Sequence, residues 1–446
     1  MSHYKPYPVY KDSGVEWIGK VPEHWEVKRL RHVASFKNSN VDKKAYDGQE
    51  TVSLCNYTDV YYNEFITPDL PFMQATASSA EVEQFSLKKG DVIITKDSED
   101  PSDIGIPSLV QEDVPGVVCG YHLTMIRGTD FDTSRLIHRI LQSHPTQAHF
   151  FVEAPGITRY GLSQDAIGDL RFCLPPESER GRIAGRIDRE TSRIDALIAK
   201  KTRFIELLKE KRSGLITHAV TKGLDPNVKM KDSGVEWIGE VPEHWERRKI
   251  THVFEGVGSG TTPPTGQHEW YSDRGIPWIT TGELRETVIT GTVKYLTTKA
   301  LEEFSTLRVY PVGSLVIAMY GATIGRLGIL GVPATTNQAC CVLSGEISLS
   351  IRFAYFWLLA FKQHIIDLYA AGGGQPNINQ EIIANLRIPA PILVDQAGIA
   401  TFLDRETSSI DTLIAKVQRS IDLLKERRST FITAGVTGRI DLRGGS

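Results

Sequence analysis

Cysteine is scarce in this chain, with five in 446 residues. Cys55, Cys119, Cys173, Cys340 and Cys341 form no CxxC pair, and the adjacent Cys340 and Cys341 lack metal-ligand spacing. An odd, unpatterned set excludes a disulfide framework and a zinc site. It points to a reduced, cytoplasmic setting with the thiols buried as small apolar groups. Long apolar runs are missing as well. FAYFWLLAF, at Phe353–Phe361, is too short to span a bilayer, so no membrane partner is expected. The polar N-terminus has no apolar core of a secretory signal. Excess charge is absent too: the formal net charge is −3 and the pI about 6.5. Overall charge therefore does not mark a nucleic-acid binder, although clusters can be local.

Catalytic signatures are also missing. There is no GxxxxGK[ST] loop, no HExxH, no GxSxG and no clustered His/Cys spacing. GGGQ at Gly372 resembles a phosphate cradle, but its counterpart APGITR lacks the triple glycine. The acidic knot KDSEDPSD holds Asp97, Glu99, Asp100 and Asp103 and could suit a metal nuclease, yet MYGATIG stands at the corresponding point of the second half. Solvated or capping carboxylates are the simpler reading. The chain is expected to be no enzyme, with no catalytic residue, no metal and no cofactor of its own.

What is present is a duplication. KDSGVEWIGKVPEHWE at Lys11 returns as KDSGVEWIGEVPEHWE at Lys231, with one change. IDRETSRIDALIAKKTRFIELLKEKRSGLITHAV, from Ile187, returns from Leu403 as LDRETSSIDTLIAKVQRSIDLLKERRSTFITAGV. Two copies are too few for a solenoid, so the duplication points to pseudo-twofold symmetry. The centres, Lys28–Gly156 and Lys249–Gly372, share little. Alike flanks around unlike centres suggest a common scaffold carrying two different readers. The repeated strap, with charge around Trp17, Trp25, Trp237 and Trp245, is expected to link each reader to the scaffold or to face a partner.

The flanks carry an a/d heptad. One column is Leu403, Ile410, Val417, Leu424 and Phe431; the other is Thr407, Ile414, Ile421 and Arg428. The first copy matches with Ile187, Ile194, Lys201, Leu208 and Leu215 against Thr191, Ile198, Ile205 and Arg212. Lys201 is the blemish; its stem can lie along the groove. A 40-residue helix spans roughly 60 Å. A narrow apolar stripe needs a partner, and its own duplicate is the nearest, set antiparallel. The centres read as β-rich, with short apolar strands at GDVIIT, GSLVIAM, TMIRG and CCVLSG and one helical stretch each, at Ser134 and Ile351.

The fold class expected is α+β: two β-rich domains separated by an antiparallel coiled coil of two long helices, pseudo-twofold. The expected limits are 1–175 for the first reader with its N-terminal strap and 176–222 for the central helix. The second reader with its repeated strap takes 223–391, and the C-terminal helix 392–440. Polar loops in each centre combine Gly, Ser and Thr, which suit phosphates, with Lys, Arg, Asn and Gln, which can read base edges. Candidates in the first centre are Lys37, Asn38, Asn56, Tyr57, Lys96, Ser98, Tyr121, His122 and Arg159. In the second they are Thr261, Thr262, Gln267, Thr280, Thr281, Tyr320, Thr323, Arg326, Asn337, Gln338, Gln375 and Asn377.

The order KDSGVEWIGxVPEHWE, IPWITTGEL, GSLVIAMYGATIG, GGGQPNINQ, IPAPILVDQ and a long helix resembles the specificity subunits of type I restriction-modification systems, over essentially the whole chain. The first copy departs from that pattern at TTPP, GATIG and GGGQPNI. The resemblance implies two target-recognition domains, each binding half of a split double-stranded DNA site, with two methylation subunits and restriction subunits as partners. It places S-adenosylmethionine, ATP and Mg on those partners and no active site on this chain. The recognition subunit of a fused methylase-nuclease system, and a protein scaffold that touches no DNA, remain alternatives.

Overall fold

A computed structural model describes residues 4–370 and 377–444. The chain divides into two units: Met1–Thr202 with Gln418–Ser446, and Arg203–Val417. Two long helices, Glu177–Lys222 and Leu393–Val436, each contribute to both units. Among the described residues, no helix is long and apolar enough to cross a membrane.

Inside the first unit the helices run antiparallel. A Cβ on Gly435 would meet Ile187, and seven residues back Arg428 donates to Asp195 at 2.8 Å. Inside the second unit Arg212 pairs with Asp411 at 2.9 Å. These are the same pair twice, since Asp195 and Asp411, like Arg212 and Arg428, correspond at the repeat offset of 216. The heptad columns face inward: Ile187, Thr191, Ile194, Ile205, Leu208, Leu403, Thr407, Ile410, Val417, Ile421 and Phe431 are buried. Lys201, Arg212 and Arg428 are half-buried.

Each centre is built on the same frame, although the two share little sequence. In the first unit a five-stranded sheet has the order Ala34–Asn38, Leu123–Gly128, Asp91–Thr95, Pro107–Val110, Phe65–Ile66. In the second the order is Phe254–Ser259, Cys340–Glu346, Leu315–Ala318, Leu327–Leu330, Thr287–Ile289. The last pairing is parallel in both and the others antiparallel. Alternation and burial set such an order, and many apolar sequences satisfy both. The first helical stretch is two helices, Phe131–Leu141 and His144–Glu153, because Pro145 suits a helix start and not a helix middle. The second is one buried helix, Ile351–Tyr369. All five cysteines are buried and free, and burial pushes the Cys173 thiol up to about 12.

The repeated strap is a small hairpin, Tyr10–Asp12 with Lys20–Pro22 and Met230–Asp232 with Glu240–Pro242. Its letters are fixed by its turn. Gly14 N–H donates to Asp12 at 2.8 Å, as Gly234 N–H does to Asp232, and Ser13 and Ser233 bond Val15 and Val235 both ways. The one change, Lys20 to Glu240, falls at an exposed position. Within the charged strap Trp25 and Trp245 are buried, at 0% and 2% exposed. Each abuts the left-handed glycine that ends a long helix, Gly438 (φ +69°) for Trp25 and Gly223 (φ +74°) for Trp245. The positive φ favours glycine at both, and at Gly438 a Cβ would also collide with Pro22. Trp17 and Trp237 stack on His149 and His364.

Ile205→Pro removes a backbone donor at a buried seam position and should cost about 3 kcal/mol or more. Thermal melting followed by circular dichroism checks this; an unshifted midpoint contradicts the seam assignment.

Candidate nucleic-acid interface

The ends of the central strands meet in a laced set of loops in each unit. In the first, Ser39 N–H donates to Leu123, Tyr121 N–H to Val41, Gly120 N–H to Cys55, Lys96 N–H to His122 and Leu162 N–H to Lys96. In the second, Gly260 N–H donates to Thr336 Oγ1, Asn337 N–H to Ile279, Met319 N–H to Ala339 and Ile378 N–H to Met319. Tyr160–Gly161 pairs with Asp97–Ser98, and Asn377 bridges to Tyr320 at the matching place. Residues far apart in sequence thus converge at one place in each frame.

In the first unit that place gathers Lys96, Ser98, Tyr121, His122, Arg159, Asn56 and Tyr57. His122 Nδ1 lies 2.7 Å from an Asp97 oxygen, and Arg159 Nη2 lies 2.8 Å from Nδ1 and 3.2 Å from Nε2. Nδ1 cannot both donate to Asp97 and accept from Arg159. The bond to the carboxylate is the stronger, which leaves Nε2 to accept from the guanidinium. Lys96 Nζ is 3.7 Å from Asp97 and 5.0 Å above the exposed Tyr121 ring. His122 adopts φ +74°, unusual for a side-chain-bearing residue and a mark of a constrained site. A cavity of about 330 Å³ opens beside it, lined by Lys43, Asn56, Tyr57, Met73 and Tyr121 among others. Lys96, Arg159 and Lys43 against Asp97 and Asp42 leave the place net cationic by one charge, with aromatic faces.

The second unit presents neutral polar groups instead. Thr262 Oγ1 donates to Gln338 at 2.6 Å. Trp278 Nε1 donates to Thr261 O, and Tyr271 OH to Pro263 O, which hold the TTPP loop over the strand ends. Tyr320, Thr323 and Asn337 flank this pair; Thr323 lies 3.5 Å from Tyr320 O and Asn337 accepts from Ala339 N–H. Gln338 and Asn377 are exposed.

Other candidates have structural work in hand. Asn56 and Thr280 begin capping boxes with Asp59 and Glu283, followed by Tyr57 and Thr281 in the first helical turn. Gln267 accepts from the Trp270 indole at 2.7 Å. Asn38 accepts from Thr124 at 2.7 Å. Lys37 stands exposed on its strand just before the cluster, and Arg326 is exposed at the end of the Gly321–Thr323 turn. Gln375 and the GGGQ segment lie outside the described residues. The acidic knot is dispersed: Asp97 serves His122, Asp100 bonds Ser102, and Asp103 accepts from Tyr61. Among the described residues no group of His, Cys, Asp and Glu could hold a metal ion. Sequence reasoning missed Asp97 as the partner of His122 and Lys43 as a cationic wall; only the fold brings them there.

Residues 242–422 match the model of the type I restriction modification DNA specificity domain. In class the chain is similar to the specificity subunits of type I restriction-modification systems. It is 21% identical, over 96% of both chains, to a putative type I restriction enzyme MjaX specificity subunit of Methanocaldococcus jannaschii. It is 22% identical to the EcoR124I/EcoR124II specificity subunit of Escherichia coli, over 46% of this chain and 48% of that one. In fold it is similar, at TM-score 0.72 and 15% identity over 94% and 99% of the chains, to a chain from a structure of type I R-M complex assembly and conformational transition. The HsdS subunit of Thermoanaerobacter tengcongensis is similar at TM-score 0.53 and 15% identity, over 94% and 98%.

Lys96→Ala should weaken binding of all duplexes about equally and lower the salt slope by roughly one charge. Fluorescence anisotropy at several salt concentrations measures this; unchanged affinity would remove Lys96 from the interface.

Proposed function

We propose that this chain binds a bipartite, asymmetric double-stranded DNA site, one half per unit, and docks two methylation subunits and the restriction subunits. The observation that carries the proposal is one frame presenting two chemistries at the same place. Lys96 and Arg159 are cationic, whereas Thr262, Gln338 and Asn377 are neutral donors and acceptors. Lysine and arginine suit guanine and phosphate; asparagine and glutamine suit adenine. Unlike loops on like frames make the two half-sites differ. The chain itself supplies no catalytic group. Methyl transfer to adenine with S-adenosylmethionine, and ATP- and Mg-dependent cleavage, belong to the partners, in the cytoplasm. Partners that share phosphate neutralisation also account for the near-neutral charge of this chain.

The long helices act in this reading as the spacer between the half-sites. A heptad inserted in both adds about 10 Å, or about three base pairs at about 3.4 Å each. The unread gap should lengthen accordingly, as read by methylation mapping of the variant.

Exchange of residues 28–156 for another reader should change one half of the methylated motif only. A change in both halves would defeat modular reading, and loss of DNA binding by the assembled complex with its fold intact would favour the protein-scaffold reading.

A further inference from the structure

The two repeats close differently at their straps. In the first unit the strap places His24 and Trp25 beside the helix end at Gly438, and the site is full. The Tyr7 ring, 3% exposed, lies 5.6 Å from both the His24 and Trp25 rings. The Arg443 guanidinium sits 4.7 Å above Tyr7 and pairs with Glu179 at 3.3 Å and Asp441 at 2.8 Å. His24 Nε2 completes the wall, 3.2 Å from Glu179. An aromatic ring capped by an arginine thus fills a seat whose floor is a tryptophan and whose wall is a histidine–carboxylate pair.

The second unit has the floor and the wall without the filler. Trp245 is buried beside Gly223, and His244 Nε2 lies 2.9 Å from Asp395, the counterpart of Glu179. The strap offset of 220 puts Asn227 where Tyr7 stands, and Asn227 is exposed. A cavity of about 310 Å³ remains, lined by Leu224, Val228, Trp245, Ile392, Val394 and Asp395 among others. Its rim is apolar and in water: Val394 is 78% exposed and Ile392 59%. At the same offset as the helices, the first repeat has Pro176, Glu177 and Ser178 where the second has Ile392, Leu393 and Val394. The apolar rim is found only on the repeat that lacks its own filler.

We propose that this groove of the second unit seats a segment of another protein, one that presents an aromatic ring to Trp245 and an adjacent arginine or lysine to Asp395. The filled seat of the first unit is the template for both requirements. Asp225 and Asp395 outnumber Lys222 in the lining, and this excess of carboxylates disfavours an anionic occupant and the DNA backbone. A second copy of this chain is a poor donor, because its own Tyr7 is already buried in its first unit and its Arg443 is already paired there with Glu179 and Asp441. The proposal is independent of the DNA-reading function, and Val394 lies outside the loops assigned to DNA.

The test uses the full chain carrying 5-fluorotryptophan, with the Trp245 resonance assigned by Trp245→Phe. Titration with a capped peptide, acetyl-Pro-Tyr-Pro-Arg-amide, should shift the Trp245 fluorine signal saturably at millimolar concentration and leave Trp25 in place. The peptide with Glu for Arg should give no shift. Gly398→Leu, at a groove position where a Cβ meets nothing within 4 Å, should abolish the shift with melting and duplex binding retained. No shift at Trp245, equal shifts at Trp25, or persistence in Gly398→Leu would overturn the proposal. A photo-crosslinker at Val394 in the complex reconstituted with methylation and restriction subunits should join this chain to a partner subunit. Cross-links only to a second copy, or none, would count against it.

Discussion

The fold depends on one constraint: a narrow heptad stripe that neither long helix can bury alone. Each helix gives part of its length to each unit, so the first unit is made from two separate stretches of chain and the second from the stretch between them. The repeated pairs Asp195–Arg428 and Arg212–Asp411 follow from that exchange. A carboxylate early in either helix meets a guanidinium late in the other, and a duplication supplies both partners twice. Such half-exposed pairs add little stability by themselves. Their value lies in register, because a slip of the seam leaves both arginines without partners while the apolar columns could still touch.

The first unit needs the chain's two ends to meet. Tyr10 OH donates to Gly438 O, and Asp441 N–H donates to Lys5 O. In the second unit the strap follows its helix directly, so the same closure is local in sequence. Tyr7 and Arg443 serve as packing material in the first unit, whereas Asn227, which matches Tyr7 in the second, is exposed.

Much of this was legible in the sequence, and what was not has identifiable causes. The heptad columns, from Ile187 and from Leu403, could be read because their period is local. The tryptophans of the strap could not: Glu and His neighbours make the segment look solvated, and Trp25 is covered by a glycine more than 400 residues away. The two centres look unrelated in sequence because sheet order depends on which positions are apolar and not on which residues fill them. Asn56 and Thr280 look like readers because they are polar and on loops. Asn56-x-x-Asp59 and Thr280-x-x-Glu283 nevertheless carry a capping-box spacing that identifies their structural use. The pairing of Asp97 with His122 has no sequence signal, since it joins two loops through a sheet.

The two readers are also anchored by different physics. In the first unit Arg139, almost fully buried, pairs with Glu64 and with Asp188 at 2.8 Å, and Glu64 also takes Arg428 of the second long helix. A buried guanidinium must have such partners, because removing one strands the charge. In the second unit Arg352 pairs with Asp404 as Arg135 does with Asp188, but the place of Arg139 is taken by Phe356, buried with Phe353, Trp357 and Phe361. Well-packed apolar groups can replace an ion network at little cost in stability. What they do not supply is direction: apolar packing tolerates small rotations, whereas a guanidinium shared between a reader carboxylate and a helix carboxylate accepts few. The first reader is thereby held to its helices by a buried ion network, and the second by apolar packing together with the half-exposed Arg352–Asp404 pair, so the frame can be common to both while its anchoring is not.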